Sequence, residues 1–281
     1  MIEQAIVDWD DAYENTQNIV DGTEYPSRWQ TSSAQFRDQY SGEIDLSYGS
    51  TLRQRYDLFV PDSRNSDKAQ GLFVFVHGGY WQKSDKSFWS YLAKGPLEAG
   101  WTVAILSYRL CPDVSVNMIQ SDIAMGIAKA AKQIEGPIIL SGHSAGGHLV
   151  QSMMCENSGL PAEVVQRLSH VLSISGITDL RPLIKTRLND NLRLDFQSAI
   201  DVSPVFQQPI TTAPLTAWVG AGERAEFIRQ NALLANMWRG LGVQTQVVEE
   251  PDKHHFDVID GLCDKNSLMM RAVLSQFSSF G

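Results

Sequence analysis

The chain has 281 residues, 43% of them hydrophobic and 20% charged, with a formal net charge of −9. This is the composition of a globular protein long enough to bury a large core. The acidic balance, with no long basic run, argues against nucleic acid or an anionic membrane as the main partner. No apolar run approaches the ~18 residues that span a bilayer. Residues 1–10 lack a basic stretch followed by an apolar one, so a secretory signal is not expected and a cytoplasmic protein is.

Residues 1–42 are polar and aromatic with weak periodicity and read as an ordered arm, Tyr25-Pro26-Ser27-Arg28-Trp29 included. Residues 43–50 and 53–60 read as a hairpin closed by Pro61-Asp62. The run Gly71-Leu72-Phe73-Val74-Phe75-Val76 is apolar throughout, as for a strand buried on both faces. A helix is expected over 87–99, a second buried strand over 102–108 and a long amphipathic helix over 117–134. Next come a strand over 137–141, a helix after residue 146 and a strand over 170–175. Residues 180–210 form an insert of helical pieces, placed where such folds carry a lid. Strand 215–219, helix 226–239, strand 243–248 and helix 257–277 complete the chain. Strands alternating with helices imply an α/β architecture: one domain, 1–281, with a mostly parallel eight-stranded sheet covered on both faces. Cys111, Cys155 and Cys263 are scattered and form no Cys-x-x-Cys pair, so reduced, buried thiols are expected.

Gly142-His143-Ser144-Ala145-Gly146 carries the chemistry. A Gly-x-Ser-x-Gly turn between a strand and a helix is a nucleophile elbow, which lifts the Ser144 hydroxyl out of the sheet. The Ala145 amide, at the start of the helix, then faces any oxyanion forming beside it. A serine nucleophile needs a base, an orienting acid and further amide donors. On this fold the order is Ser, then acid, then His. That order excludes His170 and leaves His254 and His255, of which one can face Ser144. Gly220-Ala221-Gly222-Glu223 places a carboxylate after a glycine turn, so Glu223 is the expected acid. Glu226 is its rival, with the first turn of a helix as its ordinary role, and Asp179 lies one strand too early. His77-Gly78-Gly79-Tyr80-Trp81 follows the first buried strand, where esterases carry a His-Gly-Gly motif. Gly79 and Tyr80 are assigned as oxyanion donors with Ala145, Gly78 as a substitute, and His77 as a brace. Tyr80 and Trp81 are expected as aromatic walls of the substrate pocket.

Together these segments resemble the kynurenine formamidase (arylformamidase) branch of the α/β-hydrolase superfamily. The resemblance rests on His77-Gly78-Gly79-Tyr80-Trp81, Gly142-His143-Ser144-Ala145-Gly146-Gly147-His148-Leu149, the segment from Glu223 to Gln230, and His255-Phe256-Asp257. It spans about residues 70–280 and selects His255 over His254. One departure is Glu223, where Asp is usual in the family. The resemblance implies hydrolysis of N-formylkynurenine to kynurenine and formate through a formyl-enzyme. A general short-chain carboxylesterase and a non-catalytic small-molecule receptor on the same fold stand as alternatives. Neither glycine-rich loop has dinucleotide or phosphate-loop spacing, so no cofactor is expected, and His254-His255 has no companion carboxylate at metal spacing, so no metal is expected. The expected partner is a small-molecule substrate, with no nucleic acid and no membrane, and a homodimer is left open.

Overall fold

The computed structural model describes residues 5–62 and 69–277, so residues 1–4 of the expected arm lie outside it. Its strands are β1 (Gly42–Ser47), β2 (Arg55–Phe59), β3 (Leu72–Val76), β4 (Thr102–Leu106), β5 (Ile138–His143), β6 (Leu168–Ile174), β7 (Leu215–Gly220) and β8 (Thr245–Glu250). They form one sheet in the order β1-β2-β4-β3-β5-β6-β7-β8. The β1/β2 and β2/β4 pairs are antiparallel, and every later pair is parallel. This is the mostly parallel eight-stranded sheet that the alternating pattern implies and the α/β-hydrolase resemblance leads one to expect.

The apolar run of β3 explains its central place. Leu72, Val74 and Val76 pack into the cluster on one face, and Phe73 and Phe75 into the cluster on the other. Fully burying such a side chain contributes about 1.5–3 kcal/mol, and a strand used on both faces collects that contribution at every position. The helix Val116–Ala131 covers the first face. Ser115 caps it by accepting the Met118 amide, and Ile119, Ile123 and Ile127 are buried at helical spacing. Trp101, Leu262, Met269 and Met270 close the second face.

Three expected elements differ in form. Residues 87–99 are not one helix but the 3₁₀ turns Lys86–Phe88 and Ser90–Ala93 followed by the helix Lys94–Glu98. Proline at 96 lacks the amide that a continuous helix would use there. The C-terminal helix is likewise divided into the 3₁₀ helix Val258–Cys263, the helix Leu268–Leu274 and the 3₁₀ turn Ser275–Phe277. Ser267 starts the second piece by capping the Met270 amide and also donates to the Gly261 carbonyl. In the N-terminal region, Tyr25–Gln39 is a full helix with proline in its first turn. Weak periodicity hides it because only Ser33 and Phe36 are buried.

The loops at the carboxyl ends of β3, β5, β6, β7 and β8 all open on the same side. In open parallel sheets that edge is where ligands bind. His77 to Trp81 follow β3, Ser144 follows β5, Ser175 follows β6, Glu223 follows β7 and His255 follows β8.

Candidate active site

Ser144 sits at the turn between β5 and the helix Ala145–Ser152, with φ 56° and ψ −118°. Left-handed backbone costs a non-glycine residue of order 1–3 kcal/mol, so the surroundings must impose it. The Ser144 amide donates to the Ile174 carbonyl at 2.8 Å, tying the turn to β6. The flanking glycines answer to space. A Cβ on Gly142 would lie 2.2 Å from the Gly146 carbonyl oxygen, and one on Gly146 would lie 2.0 Å from that of Val76. A strand, a left-handed serine and a helix packed this closely are the elbow expected from the motif.

The loop after β3 carries three consecutive positive φ values: Gly79 at 111°, Tyr80 at 51° and Trp81 at 59°. The Gly79 carbonyl accepts from the amides of Gln82 and Lys83, which closes the turn. Gly78 approaches the elbow so closely that a Cβ there would lie 2.9 Å from the Ser144 Cβ. His77 braces the loop from below. Its Nδ1 pairs with the Gly78 carbonyl at 2.7 Å, and its ring stacks on Tyr108 at 4.3 Å. Burial lowers its pKa to about 4, so it is neutral.

Glu223 and His255, the expected acid and base, meet after β7 and β8. Glu223 Oε2 lies 2.6 Å from His255 Nδ1. Its other oxygen accepts the Ser175 hydroxyl at 2.5 Å and the Gly220 amide at 2.9 Å. The Glu223 side chain is fully buried, and His255 is 3% exposed. A carboxylate accepts only, so Nδ1 of His255 carries its proton and Nε2 keeps a lone pair. The His255 carbonyl accepts from His143 Nε2 at 2.8 Å, which fixes the loop to the elbow strand. Burial and the neighbouring His255 hold His143 well below the usual histidine pKa, so it stays neutral.

The rivals are occupied elsewhere. Glu226 accepts from the Tyr13 hydroxyl and the Gln230 amide at 2.8 Å each and pairs with Arg229. His254 pairs through Nε2 with the Tyr25 hydroxyl at 3.1 Å, and its Nδ1 accepts the Phe256 amide. Asp179 pairs with Arg181, and His170 is bonded to Thr216. Cys111 and Cys155 are buried, and burial raises Cys111 to about 11 and the half-buried Cys263 to about 12.

Ser144, His255, Gly78, Gly79 and Tyr80 line one cavity of about 870 Å³. Trp29, Phe88, Trp89 and Phe256 give it aromatic walls, and Asn15, Gln82 and Lys83 add polar groups. Trp81 does not line it. That corrects the expectation of a pocket wall: the Trp81 indole is fully buried and donates to His148 Nδ1 at 3.2 Å. Left-handed φ at Trp81 turns the ring into the core instead of toward the cavity. The insert contributes Arg187 and Leu188.

The N-terminal segment is the part that sequence reasoning missed. Ten of the 24 lining residues lie between Asp10 and Trp29. The available signal was density of aromatic residues, with Trp9, Tyr13, Tyr25 and Trp29 in a stretch of weak periodicity.

With this geometry in hand, residues 56–216 match the BD-FAE family. The chain is 26% identical to a kynurenine formamidase of Danio rerio over 82% of this chain and 80% of that protein. It is 29% identical to a kynurenine formamidase of Drosophila melanogaster over 76% of this chain and 75% of that one. A crystal structure from Silicibacter sp. TM1040, described as a "putative thioesterase", has a TM-score of 0.89 and 43% identity. That match covers 95% of this chain and 98% of the other.

Proposed function

The chain belongs to the BD-FAE family and is a kynurenine formamidase-like α/β-hydrolase; from that premise we propose that it is a serine hydrolase of aryl formamides, N-formylkynurenine first among them. The observation that carries this reading is the buried 2.6 Å contact between Glu223 and His255 in a loop that lines one cavity with Ser144. Ser144 attacks the formyl carbon while His255 Nε2 takes its proton. The tetrahedral oxyanion is held by the amides of Gly79, Tyr80 and Ala145, donors fixed before the reaction begins. Protonated His255, held by Glu223, passes its proton to the departing arylamine, and the C–N bond breaks. Water then attacks the formyl ester, with His255 as base, and releases formate and free Ser144.

The aromatic walls formed by Trp29, Phe88, Trp89 and Phe256 suit a planar aryl leaving group. A second reading, a general short-chain carboxylesterase, is favoured by one observation. Trp81, expected as an aromatic wall of the substrate pocket, lies outside the cavity, which leaves more room beside Ser144 for a larger acyl group. Catalytic efficiency on N-formylkynurenine and on aryl acetates and butyrates separates the two. The formamidase reading expects the formamide to rank first after correction for intrinsic reactivity. Butyrate ranking first would replace it with the esterase reading.

A further inference from the structure

Tyr80 and Trp81 are adjacent non-glycine residues with left-handed backbone in the loop assigned to the oxyanion. Such a pair persists only where neighbours over-determine it. Trp81 is held by the core: its indole donates to His148, and its carbonyl accepts the Cys111 amide at 2.8 Å. Tyr80 is held differently. Its hydroxyl donates to the Tyr13 carbonyl and accepts from Asn15 Nδ2 at 3.1 Å. Both partners belong to the N-terminal segment, and both are buried, Tyr13 at 2% and Asn15 at 4% exposure. Burial, with the Glu14 and Glu223 charges nearby, keeps the Tyr80 phenol protonated and able to donate.

The segment is itself anchored at Tyr13. The Tyr13 hydroxyl donates to Glu226, which Arg229 also engages, and its ring meets Phe227 edge-on at 5.9 Å. A continuous path of contacts therefore runs from the helix Ala225–Arg239 through the Tyr13 backbone to the Tyr80 hydroxyl. It gives Glu226 a role three residues from the acid: it secures the segment that secures the oxyanion turn.

We propose that the Tyr13-Glu14-Asn15 segment is part of the oxyanion site, with Asn15 a positioning residue that acts through Tyr80. The inference rests on the reading that the Gly79 and Tyr80 amides face the oxyanion on Ser144. Asn15 donates to the phenol oxygen, and the phenol hydrogen is thereby directed to the Tyr13 carbonyl. The two bonds together limit rotation of the Tyr80 side chain and hold its backbone in the left-handed region. Loss of either lets the turn relax toward ordinary φ values and moves the amides off the oxyanion.

Asn15 also lines the cavity, so a direct contact with substrate is the competing role. The two roles differ in kinetics. Positioning through Tyr80 changes kcat and is lost once the Tyr80 hydroxyl is gone. Substrate contact changes KM and is independent of that hydroxyl. The test is a double-mutant cycle on Asn15→Ala and Tyr80→Phe, assayed with an aryl acetate and an aryl formamide. Rates are expressed per site titrated by an aryl phosphonate, and thermal melts accompany each variant. Asn15→Ala is expected to lower kcat about 3- to 10-fold, the effect of one hydrogen bond, with KM within about twofold. Tyr80→Phe is expected to lower it about 10- to 100-fold, as for misplaced donors. The double variant should match Tyr80→Phe within about twofold, because coupled residues are non-additive. Effects that multiply, a rise in KM alone, or a normal kcat per titrated site with only a lowered melting temperature would each overturn the inference while leaving Ser144 in its role. Wild-type turnover by Ser144→Ala in the same assay would overturn both.

Discussion

The cavity has two kinds of wall. One consists of loops at the ends of parallel strands, where Ser144, Glu223 and His255 are buried and each is bonded to a strand: the Ser144 amide to Ile174, the Glu223 carboxylate to the Gly220 amide, and the His255 carbonyl to His143 Nε2. The other is the N-terminal segment, attached by side-chain contacts such as Tyr13 to Glu226 and by ion pairs such as Asp11 with Arg224. Chemistry that tolerates little displacement is placed on the rigid wall. Shape, access and, in the inference above, support of the oxyanion turn through Tyr80 fall to the attached one. The two acidic residues at the start of the helix Ala225–Arg239 divide along the same line. Glu223 serves the strand-end site, and Glu226, three residues on, serves the attachment.

Variants on the two walls should therefore fail differently. The largest effect is expected at His255, the proposed base. His255→Ala is expected to reduce kcat by about 10³-fold or more with the fold retained, whereas His254→Ala, whose side chain contacts Tyr25, Phe256 and Asp257, should stay within about tenfold. Steady-state kinetics on both variants checks this, and an exchange of the two effects would move the base by one residue. Glu223→Gln comes next. It should cost about 10²- to 10⁴-fold in kcat, since an amide can hold the wrong histidine tautomer. Glu226→Gln should instead act mainly on stability, by about 1–3 kcal/mol as Arg229 loses its buried carboxylate partner, with a smaller kcat loss from loosening the Tyr13 segment. Comparing kcat per titrated site with denaturant midpoints separates the two carboxylates. Equal kinetic losses would erase the distinction between the walls.

How much of this was legible in the sequence follows from how each part is encoded. The elbow is legible because close approach dictates the residues: Gly142 and Gly146 have no room for a Cβ, and Ser144 lies between a strand and a helix with clear signals. The pairing of Glu223 with His255 is legible from chain order and a glycine turn. The N-terminal helix is not, because most of its surface is exposed and it carries no apolar stripe. Nor was the direction of Trp81, which depends on a backbone torsion that its neighbours impose. Tyr13 and Asn15 make their deciding contacts 213 and 65 residues away in sequence, with Glu226 and Tyr80. Local pattern carries nothing of such pairs.

A smaller effect probes the rigid wall through pH. His77, His148 and His170 are buried, and burial lowers each to about 4, below the ordinary 6.5. The unfolded chain binds protons that the folded one does not, so stability is full above about pH 6.5 and falls as pH drops toward 4. Melting temperatures should decline steadily across that window, and a flat profile from pH 7 to 4 would contradict neutral buried histidines. The smallest kinetic effect is expected for Trp81→Phe. Loss of the bond to His148 should lower stability by about 1–3 kcal/mol, yet the relative rates on formyl, acetyl and butyryl substrates should not change. A narrowed gap between acyl groups would return Trp81 to the cavity wall.

The central claim, that Ser144 cleaves an aryl formamide with His255 and Glu223 behind it, meets its most direct test in one comparison. Wild type and Ser144→Ala are assayed for kynurenine release from N-formylkynurenine, after circular dichroism shows that both are folded. The account predicts measurable turnover by the wild type and a loss of about 10³-fold or more in the variant. Undiminished kynurenine release by the folded alanine variant would contradict it.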